Sequence, residues 1–194
     1  EGAARGVVVS SGMAALDLVL NLVNPGDVVL APHDCYGGTH RLLTARAKRG
    51  QFELAYANQT NPDELAKAFA RKPKLVLVET PSNPLLRITD IRAVVAHAKE
   101  CGAIVVADNT FLSPALQRPL DLGCDIVVHS TTKFINGHSD VVGGVVLAKD
   151  QALGDELAWW ANCTGVTGAP FDSFLTLRGL RTLFPRVERQ QATA

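Results

Sequence analysis

The sequence predicts an α/β domain: a mostly parallel, mixed seven-stranded sheet sandwiched by helices. Three observations predict it. Short runs rich in valine, leucine and isoleucine recur seven times along the 194 residues. Several of these runs are continuously apolar rather than alternating, the pattern of strands covered on both faces. The stretches between them carry apolar residues at helical spacing, and strands that alternate with helices build parallel sheets.

In chain order, strands are read at 6–11 (GVVVSS), 27–32 (DVVLAP), 52–57 (FELAYA), 74–80 (KLVLVET), 103–110 (AIVVADNT), 125–131 (DIVVHST) and 143–148 (GGVVLA). A helix over 12–23 places Met13, Leu16, Leu20 and Val23 on one face, and NPGD at 24–27 stops it. A helix over 61–71 starts with Asn61 as its cap, Pro62 at the first helical position and Glu64 at capping-box spacing. Arg71 and Lys72 stand at the negative end of its dipole. A helix over 90–101 has Asp90 as its cap, Ile91, Val94, Val95 and Ala98 as its buried stripe, and Gly102 just past its end. The stretch 171–194 reads as one helix that breaks off, and EGAARGVVV reads as the end of an element running into a strand. These ends suggest a domain excised from a longer chain.

Nineteen basic and 19 acidic residues give a formal net charge of zero, which offers no electrostatic reason to expect a nucleic-acid partner. The apolar runs fall well short of the roughly 20 residues of a membrane span. Residues 1–12 are small, polar and glycine-rich, unlike a signal peptide. Cys35, Cys101, Cys124 and Cys163 have no zinc or redox spacing. Scattered single thiols fit a reducing compartment, so the sequence suggests small, half-buried cysteines in a cytoplasmic protein.

Ligands of parallel sheets gather at the carboxyl ends of the strands. Gly12 in SSGM (10–13) permits close backbone approach, and the helix start after it offers unpaired N–H groups. That makes a phosphate cradle or a plain helix cap. Neither GxxxxGK nor GxGxxG occurs. Asp108 closes AIVVAD, where a carboxylate needs a cation or a donor. It could partner a protonated ring nitrogen or merely cap a turn, and no second metal ligand lies close to it in sequence. Lys133 in HSTTKFINGHSD stands at the mouth of a strand, flanked by Phe134 and Ile135 and framed by the hydroxyls of Ser130 and Thr132. Partial burial would make its amine a nucleophile and base; a solvated loop lysine would be neither. A phosphate cradle, an acid for a ring nitrogen and an amine able to form a Schiff base are the three handles that pyridoxal phosphate requires. Tyr36 could stack on the ring, and Asn83, held extended by Pro84, could reach the ring hydroxyl. Ser130 and Lys133 also fit the S-x-x-K motif of serine acyl-enzymes, but S-D-N and K-T-G are absent and the serine ends a strand instead of heading a helix. His129, His138 and Asp140 lack metal-site spacing.

The segments APHDCYGG, ETPSNP, VVADNTFLSPALQRPL, HSTTKFINGHSDVVGG and ELAWWANCTGVTG resemble the pyridoxal-phosphate enzymes of cysteine and methionine metabolism. The resemblance covers nearly the whole chain, from SSGM to RGLRTL, and runs first to the cystathionine γ-synthase branch, then to the γ-lyase branch. It implies the large domain of fold-type I, aspartate-aminotransferase-like enzymes. It implies that Lys133 carries pyridoxal 5′-phosphate and shuttles protons, that Asp108 keeps the pyridine nitrogen protonated, and that Tyr36 stacks on the ring and assists proton transfer. The backbone of Gly12 and Met13 would bind the phosphate together with the side chains of Ser130 and Thr132. Thr110 would lie beneath the ring, Asn83 would meet its hydroxyl, and Glu79 would stand in support.

The activity so implied is replacement of the acyl group of an O-acyl-homoserine by cysteine, with γ-elimination from cystathionine as the alternative. The resemblance also implies small amino-acid substrates, no metal, no nucleic-acid or membrane partner, and a cytoplasmic homotetramer whose dimers share active sites. Residues 1–194 would be the cofactor-binding domain of an enzyme about twice this length, without the N-terminal arm and C-terminal domain that the family adds.

Overall fold

The computed structural model describes all 194 residues, Glu1–Ala194. Its strands are β1 (Arg5–Val9), β2 (Val28–Pro32), β3 (Glu53–Ala57), β4 (Leu75–Glu79), β5 (Ile104–Asp108), β6 (Ile126–Ser130) and β7 (Gly144–Ala148). Its helices are α1 (Gly12–Val19), α2 (Gly37–Lys48), α3 (Pro62–Phe69), α4 (Ile91–Cys101), α5 (Ser113–Leu116), α6 (Gln151–Thr164), α7 (Pro170–Leu180) and α8 (Leu183–Thr193). No helix is long and apolar enough to cross a membrane.

The seven strands form one mixed sheet in the order β1-β7-β6-β5-β4-β2-β3. β2 pairs parallel with β3 and β4, and β4 pairs parallel with β5; β1 runs antiparallel to β7. The continuous apolar runs behave as read: every residue of β4 is buried, as are four of the five in β6. β3 lies on one side of β2 and β4 on the other, so the direction of winding reverses between β2 and β4. A crevice opens at the carboxyl ends of strands at such a switch point.

Two helix starts form as the sequence predicts. The side chain of Asn61 accepts from the N–H groups of Asp63 and Glu64, and that of Asp90 accepts from Arg92 and Ala93. Gly102 takes the left-handed conformation (φ 69°) that ends α4. Other local expectations are corrected. Residues 12–23 split into α1 and a 3₁₀ turn over Leu20–Leu22. Glu64 accepts from Asn58 N at 3.4 Å and does not return to Asn61, so the capping box is half made. α3 stops at Phe69, and Arg71 lies beyond it, donating to Glu53 Oε2 at 2.8 Å. The stretch 171–194 is not one helix: it breaks at Arg181 and Thr182 into α7 and α8.

The chain divides into two compact units. The first comprises Glu1–Val19, Asn109–Arg118 and Val128–Ala194; the second comprises Leu20–Asp108 and Pro119–Val127. The first is built on β1, β7 and the helices around them, with Val9, Val19, Leu157 and Leu183 almost wholly buried. Arg186 ties α8 down by donating to the carbonyls of Phe134, Ile135 and Gly179. The second holds β2–β5, with Leu30, Leu43, Leu75 and Ile126 at its centre. Cys35 and Cys124 are buried, Cys101 is half-buried and Cys163 is exposed.

Within the first unit, the turn from β1 into α1 lies directly on β7. A Cβ at Gly144 would fall inside the van der Waals radius of Ser11 O, with Gly12 N also close. Backbone cannot step aside as a side chain can, so Gly144→Ala should destabilise the full-length protein by about 3 kcal/mol, the upper end for overpacking. Urea unfolding monitored by circular dichroism measures this.

Candidate active site

In the first unit the helix start expected at Gly12 forms. Ser11 caps α1: its Oγ accepts from Ala14 N at 3.1 Å and its carbonyl from Ala15 N at 3.0 Å. Helix geometry leaves the N–H groups of Gly12 and Met13 without an intrahelical acceptor. They start the helix beside the end of β6. A Cβ at Gly12 would sit 2.6 Å from Ser130 Cβ and 3.2 Å from Ser130 Oγ. Only glycine lets the helix start come this near the serine hydroxyl. Thr110 holds the other side of that serine, its Oγ1 accepting from Ser130 N at 2.9 Å.

Thr132 is bonded within the chain. Its hydroxyl donates to Gly143 O at 3.3 Å and accepts from Gly143 N at 3.1 Å, fastening the β6 end to the start of β7. Lys133 follows in a turn, its N–H donating to Ser130 O at 3.4 Å. The sequence suggested partial burial for this lysine; the structure leaves it exposed. Lys133 lines a cavity of about 740 Å³ together with Phe111, Thr132, Ser139, Asp140 and Val141.

The serine acyl-enzyme geometry is absent: Ser130 is the last residue of β6, and no helix begins at it. The histidines are engaged without a metal. His129 is buried, its Nε2 2.9 Å from Glu1 Oε1, and His138 Nδ1 lies 2.7 Å from Asn136 O. No group of three His, Cys, Asp or Glu side chains could hold a metal ion.

In the second unit the switch point carries the remaining residues. Tyr36 ends the loop after β2 and immediately precedes α2, and the residue is 45% exposed. Asn83 lies in the loop after β4, half-buried, and its bond to Pro84 is cis. Asp108 ends β5 directly opposite Glu79, the last residue of β4. Glu79 is the residue whose weight the sequence understated. It is 8% exposed, and its carboxylate spans both loops: Oε2 accepts from Tyr36 N at 2.9 Å and Oε1 from Asn83 N at 2.7 Å. Burial pushes its carboxyl up to about 7, the two backbone N–H bonds oppose that rise, and the charges of Asp108 and Asp34 add to it. Cys35 beside it is pushed up to about 12, chiefly by burial and then by the charge of Glu79, so its thiol stays neutral. Ser82 ties the two loops again, donating to Asp34 Oδ2 at 2.7 Å. The signal for Glu79 was its place as the last residue of a buried strand, the same signal that singled out Asp108.

Over residues 1–194 the chain matches the model of the Cys/Met metabolism PLP-dependent enzymes. It belongs to that family. It is 57% identical over 195 residues to the cystathionine gamma-synthase of Escherichia coli (strain K12), a match covering 100% of this chain and 50% of that protein. It is 48% identical over 194 residues to the cystathionine beta-lyase MetC of Bacillus subtilis (strain 168), again covering 100% of this chain and 50% of that protein. The crystal structure of cystathionine gamma synthase from Xanthomonas oryzae pv. oryzae in complex with cystathionine superposes with a TM-score of 0.93 at 64% identity, over 94% of this chain and 48% of that one. The chain therefore spans about half the length of these relatives.

The family's cofactor is a phosphate ester on an aromatic ring, and the donor set here fits it. Two helix-start N–H groups stand beside the Ser130 hydroxyl, in a space that a Cβ at residue 12 would fill. Gly12→Ala should therefore weaken cofactor affinity of the full-length protein about tenfold, or about 1.4 kcal/mol. Equilibrium titration of the apoprotein measures it; an unchanged affinity would place the phosphate elsewhere.

Proposed function

We propose that this chain is the cofactor-bearing part of a trans-sulfuration enzyme of the cystathionine γ-synthase type. It would replace the acyloxy group at the γ-carbon of an O-acyl-homoserine by the sulfur of cysteine, giving cystathionine and the free carboxylic acid. The observation that carries the reading is the approach of Gly12 to Ser130, which puts a helix start and a hydroxyl together beside the lysine-bearing turn. Identity of 57% to a named cystathionine gamma-synthase supports the reaction type.

Pyridoxal 5′-phosphate, when bound, supplies a ring that takes up the electron pair released at the substrate α-carbon. The residues of this chain do the rest. Gly12 and Met13 N–H groups and Ser130 Oγ would bind the phosphate, with Thr110 fixing the Ser130 backbone. Thr132, whose hydroxyl is engaged with Gly143, would contribute by holding the turn and by reorienting that hydroxyl. Asp108 would hold the ring nitrogen protonated. Tyr36 would lie against the ring and Asn83 would donate to its hydroxyl. The Lys133 amine would anchor the cofactor through Nζ, then take the α-proton and return protons to the substrate. The exposure of Lys133 leaves its amine free to move between these roles.

A lyase reading rests on the 48% identity to a protein named cystathionine beta-lyase. The residues named above serve replacement and elimination alike, and a γ-lyase would work with the same set. We further propose a cytoplasmic homotetramer; the exposed Phe171, Phe174, Leu177 and Phe184 on α7 and α8 support burial of that face against more protein.

Borohydride reduction of the full-length protein followed by peptide mapping should place a phosphopyridoxyl group on Lys133. Lys133→Ala should lose turnover by about 10³-fold or more while keeping its circular dichroism spectrum. Activity near wild type would remove the lysine from the chemistry. Asp108→Asn should slow turnover by roughly 10²-fold, because an amide cannot hold the ring nitrogen charged. A rate within about twofold of wild type would reduce Asp108 to a cap. Cystathionine formed from an acyl-homoserine and cysteine distinguishes the synthase from either lyase, which would release an oxo-acid and ammonia.

A further inference from the structure

Glu79 takes part in none of the contacts assigned to the cofactor, yet its carboxylate bonds to both loops of the switch point. Each oxygen has a separate partner. Oε2 takes the N–H of Tyr36 and Oε1 that of Asn83. Tyr36 stands just before α2 and makes no side-chain cap bond, so Glu79 fixes its backbone. Asn83 is the fourth residue after Glu79, and its N–H reaches back over the loop to the same carboxylate. The two side chains proposed to meet the ring thus share one clamp.

We propose that Glu79 is a positioning residue whose carboxylate sets Tyr36 and Asn83 for the cofactor ring, and that the clamp is complete only when Glu79 is ionised. The inference rests on the cofactor reading above. A carboxylate accepts two N–H bonds at once; a carboxylic acid keeps one good acceptor and turns its hydroxyl oxygen into a donor facing an N–H. The charges acting on Glu79 are Asp108 on β5 and Asp34 in the loop after β2, and Glu79 in turn acts on the neutral Cys35 thiol. Behind Asp34 stand His33, 3.7 Å from its carboxylate, and Arg87 of the loop after β4, at 3.9 Å. The two charges that act on Glu79 directly are negative, and with burial they hold its carboxyl at about 7 instead of the ordinary carboxylate range. A cation bound at Asp108 would cancel part of that repulsion and favour the ionised form. Cofactor binding and ionisation of Glu79 therefore reinforce each other, by the reciprocity of linked equilibria.

The sign in the cofactor-free protein runs the opposite way. A carboxyl raised above its unfolded value adds stability below about pH 4.5 that is lost as pH rises towards about 7. Ionised Glu79 is thus a cost to the empty fold and a gain to the loaded one.

Glu79→Gln tests this in the full-length protein, because glutamine has the shape and hydrogen-bond pattern of the protonated acid. Pyridoxal 5′-phosphate is titrated into apoprotein of both forms, with thermal unfolding of each apoprotein run alongside. At about pH 8 the variant should bind about tenfold more weakly than wild type, the scale of one lost hydrogen bond to a charged acceptor. At about pH 5.5 the two affinities should agree within about twofold, since wild-type Glu79 is then protonated. Equal affinities at both pH values, or a deficit that does not change with pH, would overturn the inference while leaving the cofactor reading intact. Wild-type protein that takes up no cofactor at either pH would overturn both. Failure of the variant to fold, seen as loss of its unfolding transition, is resolved by Glu79→Asp, which keeps the charge and should retain the pH dependence; a flat profile there also overturns the clamp.

Discussion

The close approach of the β1–α1 turn to the ends of β6 and β7 is the constraint on which the rest depends. Gly12 lies against Ser130, and Gly144 lies against Ser11, so close that neither position has room for a Cβ. The contact brings the positive end of α1 beside the Ser130 hydroxyl, two residues short of Thr132 and three short of Lys133. Thr110 then ties Ser130 through its N–H, and Thr132 ties the same segment to Gly143. A run of three residues is held by contacts from three separate segments. Lys133, the first residue beyond them, is exposed and has a cavity to reach into.

The switch point of the sheet follows a second logic, that of charge. Two carboxylates end adjacent strands in register, Glu79 on β4 and Asp108 on β5, and a third, Asp34, stands in the loop after β2. Burial and like charge both act against ionisation of Glu79 there. Donors of the loops offset this: the N–H groups of Tyr36 and Asn83 for Glu79, the hydroxyl of Ser82 for Asp34. A fold selected for stability alone has no use for such a cluster, because an apolar pair at the ends of β4 and β5 would pack without the desolvation cost.

Much of this was legible in the sequence, and the boundary of legibility is physical. All seven strands, the caps at Asn61 and Asp90 and the left-handed Gly102 were readable because each follows from local chemistry. Gly12, Asp108 and Lys133 were singled out because strand ends collect function in such sheets, and each does lie at or just past a strand end. Most of the failures share a cause: a partner farther along the chain displaced the expected one. Glu64 turned to Asn58 N instead of completing its capping box. Arg71 left the helix end for Glu53. α7 stopped short of α8 where Gly179 packs against the backbone of Ile135 and Asn136. Lys133 was expected half-buried from its flanking Phe134 and Ile135. Burial instead changes sharply along this turn, from an exposed Lys133 to a buried Ile135 two residues later. Glu79 lay in plain view as a strand-end acid; what the sequence withheld was that two loop N–H groups converge on it.

The two units carry opposite electrostatic features, each within itself. The first unit offers helix-start N–H groups and a hydroxyl, a place for negative charge. The second offers acids at the ends of β4 and β5, a place for positive charge. Neither feature is comfortable alone: helix-start donors without an acceptor and a buried acid pressed by like charges each raise the free energy of the unliganded fold. Within either unit, a ligand that relieved this cost would gain differential affinity for the arrangement over a relaxed one.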